Sequence, residues 1–376
     1  MQKIDSFINR IESYIANRME MAKLALRTRD DLVDRLNPIK RRGGSANEVF
    51  ITPKYVIKAE ASNITDHTMV KMERFTQDIA HELDLEGVVL PTVPIKLSPE
   101  QAKKLSLTPE LMSRVEERGE IEVNLARYAE FSKPDVFLTG RKNNNIDLES
   151  YQLAALFSGI TQQTDHHNEN GGVIVDKATG KFKFLLFDND ICMHDSNALT
   201  KSIGKSGQTI WGVPIRSFFL AFPQKNQPLI PKLREIISKW DTNAVMEFIH
   251  KQEVELTEGQ KAALRQRIEQ VKRTVANNSN ANIYDCFKAM YPLLSAYFEL
   301  YQALNSKPVF TSSVEMDSCV LSCSPGGGPC ISLTDLLQEA LDNGKITQTR
   351  HDEIHHQIMQ FIDTEDFVSS FSSENQ

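Results

Sequence analysis

TDHHNENGGVIVDKATGKFKFLLFDND, residues 164–190, is the stretch on which the reading of this chain turns. Its centre has the pattern of a β-hairpin: an apolar run at Val173–Val175, a turn at DKATGK, and a second apolar run at Phe182–Phe187. Asp165 and Asn170 fall in the polar loop that enters the hairpin, and Asp188 falls where the second strand ends. A hairpin returns the chain on itself, so Asp188 is expected beside Asn170. A carboxylate and an amide oxygen brought together are hard oxygen ligands suited to Mg²⁺. Asp165, a few residues ahead of Asn170, would stand off the metal and face an incoming hydroxyl.

Upstream, GGSANEVFITPKYVIKAEA (residues 43–61) reads as two short strands, NEVFIT and YVIKAEA, joined by a turn that contains proline. HTMVKMERFTQDIAHELDL then reads as a helix, and short apolar strands are expected around Val88–Leu90 and Ile121–Tyr128. Transfer of a phosphoryl group requires metal ligands on the phosphates, a carboxylate that orients the nucleophile, and a cation on the phosphates. Lys58, in YVIKAEA, is the candidate cation. Gly43, Gly44 and Ser45 are small enough for backbone N–H groups to approach phosphate oxygens. Glu73, on the following helix, is placed to pair with Lys58 and hold it extended.

TDHHNEN, the hairpin and FDND together resemble the catalytic and metal-binding segments of the phosphatidylinositol 3-/4-kinase-like superfamily. The flavour is that of the type II phosphatidylinositol 4-kinases and the actin-fragmin-type atypical protein kinases. GGSANEVF, YVIKAE, KMERF and LDLEGVVLPTVPI resemble the N-lobe of that superfamily, and the likeness in element order covers roughly residues 43–310. The resemblance implies an α+β, bilobal protein-kinase-like fold, with a small β-rich N-lobe, a larger helical C-lobe and ATP in the cleft. It gives Asp165 the catalytic-loop role, Asn170 and Asp188 the Mg²⁺, Lys58 the phosphates and Glu73 the place of its partner. His167 matches a histidine that lipid-kinase catalytic loops often carry, and the segment Tyr128–Phe131 would lie against the adenine. Two departures stand out. The usual DFG or DNG triplet reads Asp188-Asn189-Asp190, so that Asp190 is a further metal ligand or a sign of altered nucleotide chemistry, and the glycine-rich loop has no GxGxxG.

The remaining sequence sets the frame. The chain has 376 residues, 40% hydrophobic and 25% charged, which is globular composition with room for a substantial core. A net charge of −7 argues against nucleic acid as a partner, because phosphate contacts need concentrated Lys and Arg. Five cysteines without regular spacing point to a reducing compartment, hence a cytoplasmic protein, and not to a disulfide framework. The stretch SCVLSCSPGGGPC reads as a Ser/Cys/Gly linker in preference to a zinc site. There is no signal-peptide pattern and no apolar run of the roughly 18 residues that a transmembrane segment needs.

By segments, residues 1–42 are expected to be an amphipathic helix, 43–132 the N-lobe, 133–310 the C-lobe, 311–330 the linker and 331–376 a helical hairpin with a polar tail. The Ser/Glu-rich tail would suit an effector exported into a host cell by a dedicated bacterial machine. Beyond residue 229 the expected helices are LIPKLREIISKW, NAVMEFIHK, EGQKAALRQRIEQVKR, YDCFKAMYPLLSAYFELYQAL, SLTDLLQEALDNG and HDEIHHQIMQFI.

The acceptor is left between two substrates, a protein hydroxyl, which is preferred, and a phosphoinositide. Lys201, Lys205 and Arg216 would meet inositol phosphates or anionic lipid, whereas core packing is the expected fate of Phe218 and Phe219. The residues disfavour three other readings. IGKSGQT lacks the P-loop glycine, since position 199 is Leu. A metal hydrolase built on His166, His167, His194 and Asp195 would leave the Lys58 region unused. A kinase-fold scaffold without turnover would have no need of Lys58, Asp165, Asn170 and Asp188 together.

Overall fold

The computed structural model describes residues 40–43, 47–51, 55–60, 68–105, 107–127, 131–137, 141–163, 170–187, 189, 192–203, 209–212, 217–252, 254–305 and 333–372. Two compact units result, one of residues 1–77 and 90–130, the other of 78–89 and 131–376. The α+β class and the division into a smaller β-rich and a larger helical unit agree with the sequence reading.

The smaller unit is built on one antiparallel sheet. Its strands are β1 (Lys40–Gly43), β2 (Asn47–Ile51), β3 (Tyr55–Glu60), β4 (Thr92–Leu97) and β5 (Ile121–Arg127), in the spatial order β1-β2-β3-β5-β4. Helix α1 (Thr68–Glu82) follows β3, and the short helices α2 (Pro99–Lys103) and α3 (Pro109–Arg118) join β4 to β5. Strand alternation divides the sheet cleanly. Ile57 and Ala59 on β3, Val93, Ile95 and Leu97 on β4, and Ile121, Val123 and Leu125 on β5 share one core with Leu105, Leu111 and Val115. The intervening positions, Lys58, Thr92, Glu122 and Asn124, belong to the other face, and α1 is bonded to three of them.

Two expectations need correction here. The sheet starts at Lys40, so residues 40–42 are strand and not the end of the expected N-terminal helix; residues 1–39 of that segment lie outside the described residues. Val88–Leu90 is not a strand. Glu86–Val88 is a 3₁₀ turn, and the strand is the next stretch, TVPIKL. Pro94 is tolerated because β4 is an edge strand, where a residue without an N–H need not break a ladder.

The larger unit is organised around α5 (Leu148–Thr161), which follows the single turn α4 (Arg141–Asn144). Asp147 caps α5 by accepting from the Ser150 N–H at 2.8 Å, and the helix is buried on nearly every side, as its run of apolar and small residues demands. Strands β6 (Gly171–Val175) and β7 (Phe182–Leu186) form the expected hairpin, and β8 (Thr200–Ile203) and β9 (Thr209–Gly212) form a second one. Phe184 of β7 lies among Tyr151 of α5, Phe218, Phe219 and Phe222, with ring centroids 5.1–6.1 Å away. Phe218 and Phe219 are core residues, as expected.

Helices α6 (Pro231–Ser238), α7 (Thr242–His250), α8 (Glu258–Asn277), α9 (Ile283–Met290) and α10 (Leu294–Asn305) complete this body. The helix expected over residues 284–304 is two helices, because Pro292 supplies no N–H and disfavours helical backbone at Tyr291. At the end, α11 (Leu333–Asp342) stops before Gly344, which has φ +62°, and α12 (Gln348–Ser372) runs on into the polar tail. Arg350 of α12 fixes this hairpin to α10 through a two-pronged pair with Glu299, at 2.8 and 2.6 Å. Cys192 and Cys286 are buried thiols, and burial pushes Cys286 up to about 12. No helix among the described residues is long and apolar enough to cross a membrane.

Lys225 gives this unit a pH signature. Its Nζ donates to the Leu220 carbonyl at 2.6 Å and stands 5.5 and 5.6 Å from the Tyr284 and Phe298 ring centres. Burial holds its pKa down at about 8, against 10.5 for an unhindered lysine. Below pH 8 both folded and unfolded chains carry the proton and the desolvation penalty is fully present. Between 8 and 10.5 the unfolded chain binds the extra proton, so this group makes stability rise with pH. The melting temperature of wild type minus that of Lys225→Met should therefore climb across that window. A difference that is flat from pH 7.5 to 10.5 would remove the assignment.

Candidate active site

On the smaller unit the structure brings Lys58 and Glu73 together, as their spacing implied. Lys58 Nζ lies 3.7 Å from Glu73 Oε2, and the two side chains are only 9% and 8% exposed. Lys58 is directly opposite Asn124 across the β3–β5 ladder, and Asn124 Nδ2 donates to the same Glu73 oxygen at 3.0 Å. The result is a triangle of cation, carboxylate and amide on the face of the sheet that the core does not use. Burial of both charges is tolerable because each has a partner.

Two further contacts fix α1 over that face, and one within the helix steadies Glu73. Arg74 pairs with Glu122, two residues before Asn124 on β5. Gln77 Oε1 accepts from the Thr92 N–H and hydroxyl at 3.0 and 3.2 Å, and the Thr76 hydroxyl donates to the Glu73 carbonyl at 2.9 Å. Glu73 is thereby set by helix and sheet together, and Lys58 is paired with a carboxylate whose place is fixed. Asn124 is the member that the sequence reading missed. It is a polar residue on the polar side of an alternating strand, a position that ordinarily faces water, and only the register opposite Lys58 gives it a role.

GGSA connects two antiparallel strands. Gly43 ends β1 opposite Glu48 on β2, while Gly44 and Ser45 lie outside the described residues, as does Tyr128.

On the larger unit, the β6–β7 register runs from Gly171 opposite Leu186 to Val175 opposite Phe182. The open end of the hairpin thus carries Asn170, which is buried, on one side and Phe187 on the other. Asp188 is the next residue along; it, Asp165, His167 and Asp190 lie outside the described residues. The two glycines after Asn170 are required by close packing. A Cβ on Gly171 would sit 2.8 Å from Phe218 Cζ, and one on Gly172 would sit 2.6 Å from Phe131 Cβ.

Phe131 belongs to this unit and not, as the sequence division has it, to the smaller one. Its neighbour Ser132 exchanges two backbone hydrogen bonds of 2.9 Å with Val173, a single antiparallel bridge that ties the segment to β6. The Phe131 ring is 41% exposed and lies 4.7 Å from that of Phe187. A half-open aromatic pair of this kind can take a flat apolar ring.

Lys201 is on β8, opposite Trp211 on β9, and Lys205 and Arg216 lie outside the described residues. His194 is held below the usual imidazole range first by burial and then by the charge of Arg267. Among the described residues no group of three or more His, Cys, Asp or Glu side chains is arranged to hold a metal ion. The donors expected for Mg²⁺ are of a different set, the Asn170 amide with Asp188 and Asp190, and oxygen ligands of this type fit a small hard cation.

No family model matches the chain, and no curated protein matches it either. Among solved structures, the proinflammatory kinase CtkA of Helicobacter pylori aligns over 68% of this chain and 94% of its own, at 11% identity and a TM-score of 0.33. A choline/ethanolamine kinase family protein from Mesorhizobium loti aligns over 77% of this chain and 92% of its own, at 12% identity and a TM-score of 0.23. At those scores neither likeness assigns a fold or an activity, and the functional reading rests on the residues.

Proposed function

We propose that this chain is a kinase-like phosphotransferase that uses Mg-ATP and delivers the terminal phosphate to a protein hydroxyl. The observation that carries the reading is the buried Lys58–Glu73–Asn124 triangle. A lysine placed on a strand for solubility would be exposed and free to turn. This one is enclosed, paired and aimed, which is the arrangement a phosphate-binding cation needs, since a fixed charge in a dry setting needs no reorganisation when the reaction occurs.

The other parts follow from the hairpin. Asn170, with Asp188 and Asp190, would hold the magnesium ion, which supplies charge neutralisation on the phosphates. Asp165 orients the acceptor hydroxyl for in-line attack, with His167 beside it in the same loop, and Lys58 takes the phosphates with backbone N–H groups of Gly43, Gly44 and Ser45. Phe131, together with the segment from Tyr128, offers the adenine a surface. Catalysis on this account is positioning and electrostatics, with no covalent intermediate on the enzyme.

Burial of Phe218 and Phe219 supports a protein acceptor over a lipid one, because it removes two of the aromatics that would otherwise have been free to enter a bilayer. The alternative acceptor is a phosphoinositide met by Lys201, Lys205 and Arg216. The test is transfer of labelled γ-phosphate from Mg-ATP by the purified chain alone, with host-type lysate, and with phosphoinositide vesicles, each beside Asp188→Ala. Label on protein that disappears in the variant is the expected result. Label confined to the vesicles would replace the protein acceptor with the lipid. Nucleotide binding without transfer to any acceptor would overturn the enzyme reading in favour of a scaffold.

A further inference from the structure

Arg267, on α8, is among the largest fully buried side chains of the described residues, and every acceptor its guanidinium meets among them is uncharged. Its guanidinium is spent on neutral acceptors. Nε donates to the Ile160 carbonyl at 2.7 Å, Nη1 to Gln162 Oε1 and to Asn197 Oδ1 at 2.6 Å each, and Nη2 lies 3.7 Å from Met193 Sδ. These acceptors come from two stretches only, residues 160–162 at the end of α5 and residues 193–197. Between them runs the whole segment that contains Asn170, the β6–β7 hairpin and Asp188.

Other contacts close the same junction. The Met193 N–H donates to the Thr161 carbonyl at 3.0 Å, and Gln162 Nε2 donates to the Ser196 carbonyl at 2.5 Å. Asn197 Nδ2 donates back to α8, at the Ala263 carbonyl and Gln266 Oε1. Both strands of the junction pass through left-handed backbone, at Gln162 (φ +53°) and Met193 (φ +58°), a conformation that side-chain-bearing residues hold only where neighbours fix it.

A buried cation without a counter-charge is costly, and an apolar side chain at this point of the α8 stripe would pack at no such cost. What an apolar side chain cannot do is satisfy a carbonyl and two amides at once from a single planar fork. We propose that Arg267 is a positioning residue: it clamps the two ends of the 163–193 segment and so sets the hairpin, and with it Asn170, for metal and nucleotide. This rests on the phosphotransferase reading for its consequence, though the clamp can be measured without it.

The experiment uses the full chain as wild type, Arg267→Met, Arg267→Lys and Gln162→Gly. Lysine keeps the charge but brings one nitrogen to the acceptors. Glycine at 162 gives up two bonds of the clamp while easing the left-handed φ, so that it tests the clamp independently of whether the arginine variants fold. In all three, kcat should fall about 100-fold and the KM for Mg-ATP should rise, since a displaced Asn170 would serve neither the metal nor the nucleotide. Amide exchange should rise in residues 171–175 and 182–186 and stay as in wild type in the β2–β5 sheet of the smaller unit. Wild-type kcat per folded molecule in Gln162→Gly, or full activity in Arg267→Lys, would overturn the proposal. A wild type without transfer would sink the phosphotransferase reading alone; exchange in the hairpin would then decide the clamp, and no change there in any variant would refute it.

Discussion

Lys58→Met is expected to abolish phosphate transfer and, unlike most active-site changes, to make the protein markedly less stable. Loss of a preorganised charge on the transferring group costs about 100- to 1,000-fold in rate. Loss of one partner from a buried pair leaves the Glu73 carboxylate without its cation, a change worth about 3 kcal/mol or more. Asn124 still donates to Glu73, which places the effect at the low end of that range. The second variant separates the two roles. Lys58→Met combined with Glu73→Gln removes both charges and keeps an amide for Asn124, so much of the stability should return while transfer stays absent. Melting curves and the labelled-phosphate assay on the same preparations check this. A double variant that regains transfer would show that Lys58 serves the fold alone.

The largest expected effect on stability alone is at Phe184. It is the one hairpin side chain enclosed by Tyr151, Phe218, Phe219 and Phe222, and truncation to Ala would leave a hole lined by rigid rings that cannot collapse into it. A cost of about 3–5 kcal/mol is expected, a large share of the roughly 5–15 kcal/mol that holds a typical domain folded. The hairpin should loosen with it, since the Phe184 N–H is also bonded to the Ser150 hydroxyl of α5 at 2.8 Å. Urea denaturation measures the loss. A midpoint close to that of wild type would mean that the ring cluster repacks and that the hairpin is held chiefly by its other contacts.

How far the sequence carries this description depends on whether a signal is local. The β6–β7 hairpin was legible because two apolar runs and a turn of Asp, Gly and Lys lie within fifteen consecutive residues, Val173–Phe187, and Lys58 and Glu73 because a strand and the next helix follow one another closely. Asn124 was not legible, since its role depends on register with a strand more than sixty residues earlier. The β4 strand was hidden by its own Pro94, a residue whose meaning changes with whether a strand is central or at an edge, which only the assembled sheet decides.

Arg267 is a different case. Ala263, Leu264, Ile268, Val271 and Val275 mark the buried stripe of α8, and Arg267 falls inside that stripe, four residues from Ala263 and from Val271. A cation on the apolar side of an amphipathic helix is a signal that a helical projection would have found. It passes for an ordinary surface arginine when EGQKAALRQRIEQVKR is read only for its charge content.

Pro94 has a consequence beyond the geometry of its own strand. An edge strand normally offers a row of unpaired N–H and C=O groups to which another chain can bond, and β4 holds such an edge. Here the row is interrupted: Pro94 has no hydrogen to give, and the exposed Lys96 two residues on, paired with Glu120, places a charged pair beside the edge. The smaller unit is thus protected on this side against growing by strand addition, so that its sheet stays five strands wide at concentrations where a plain apolar edge would recruit neighbours.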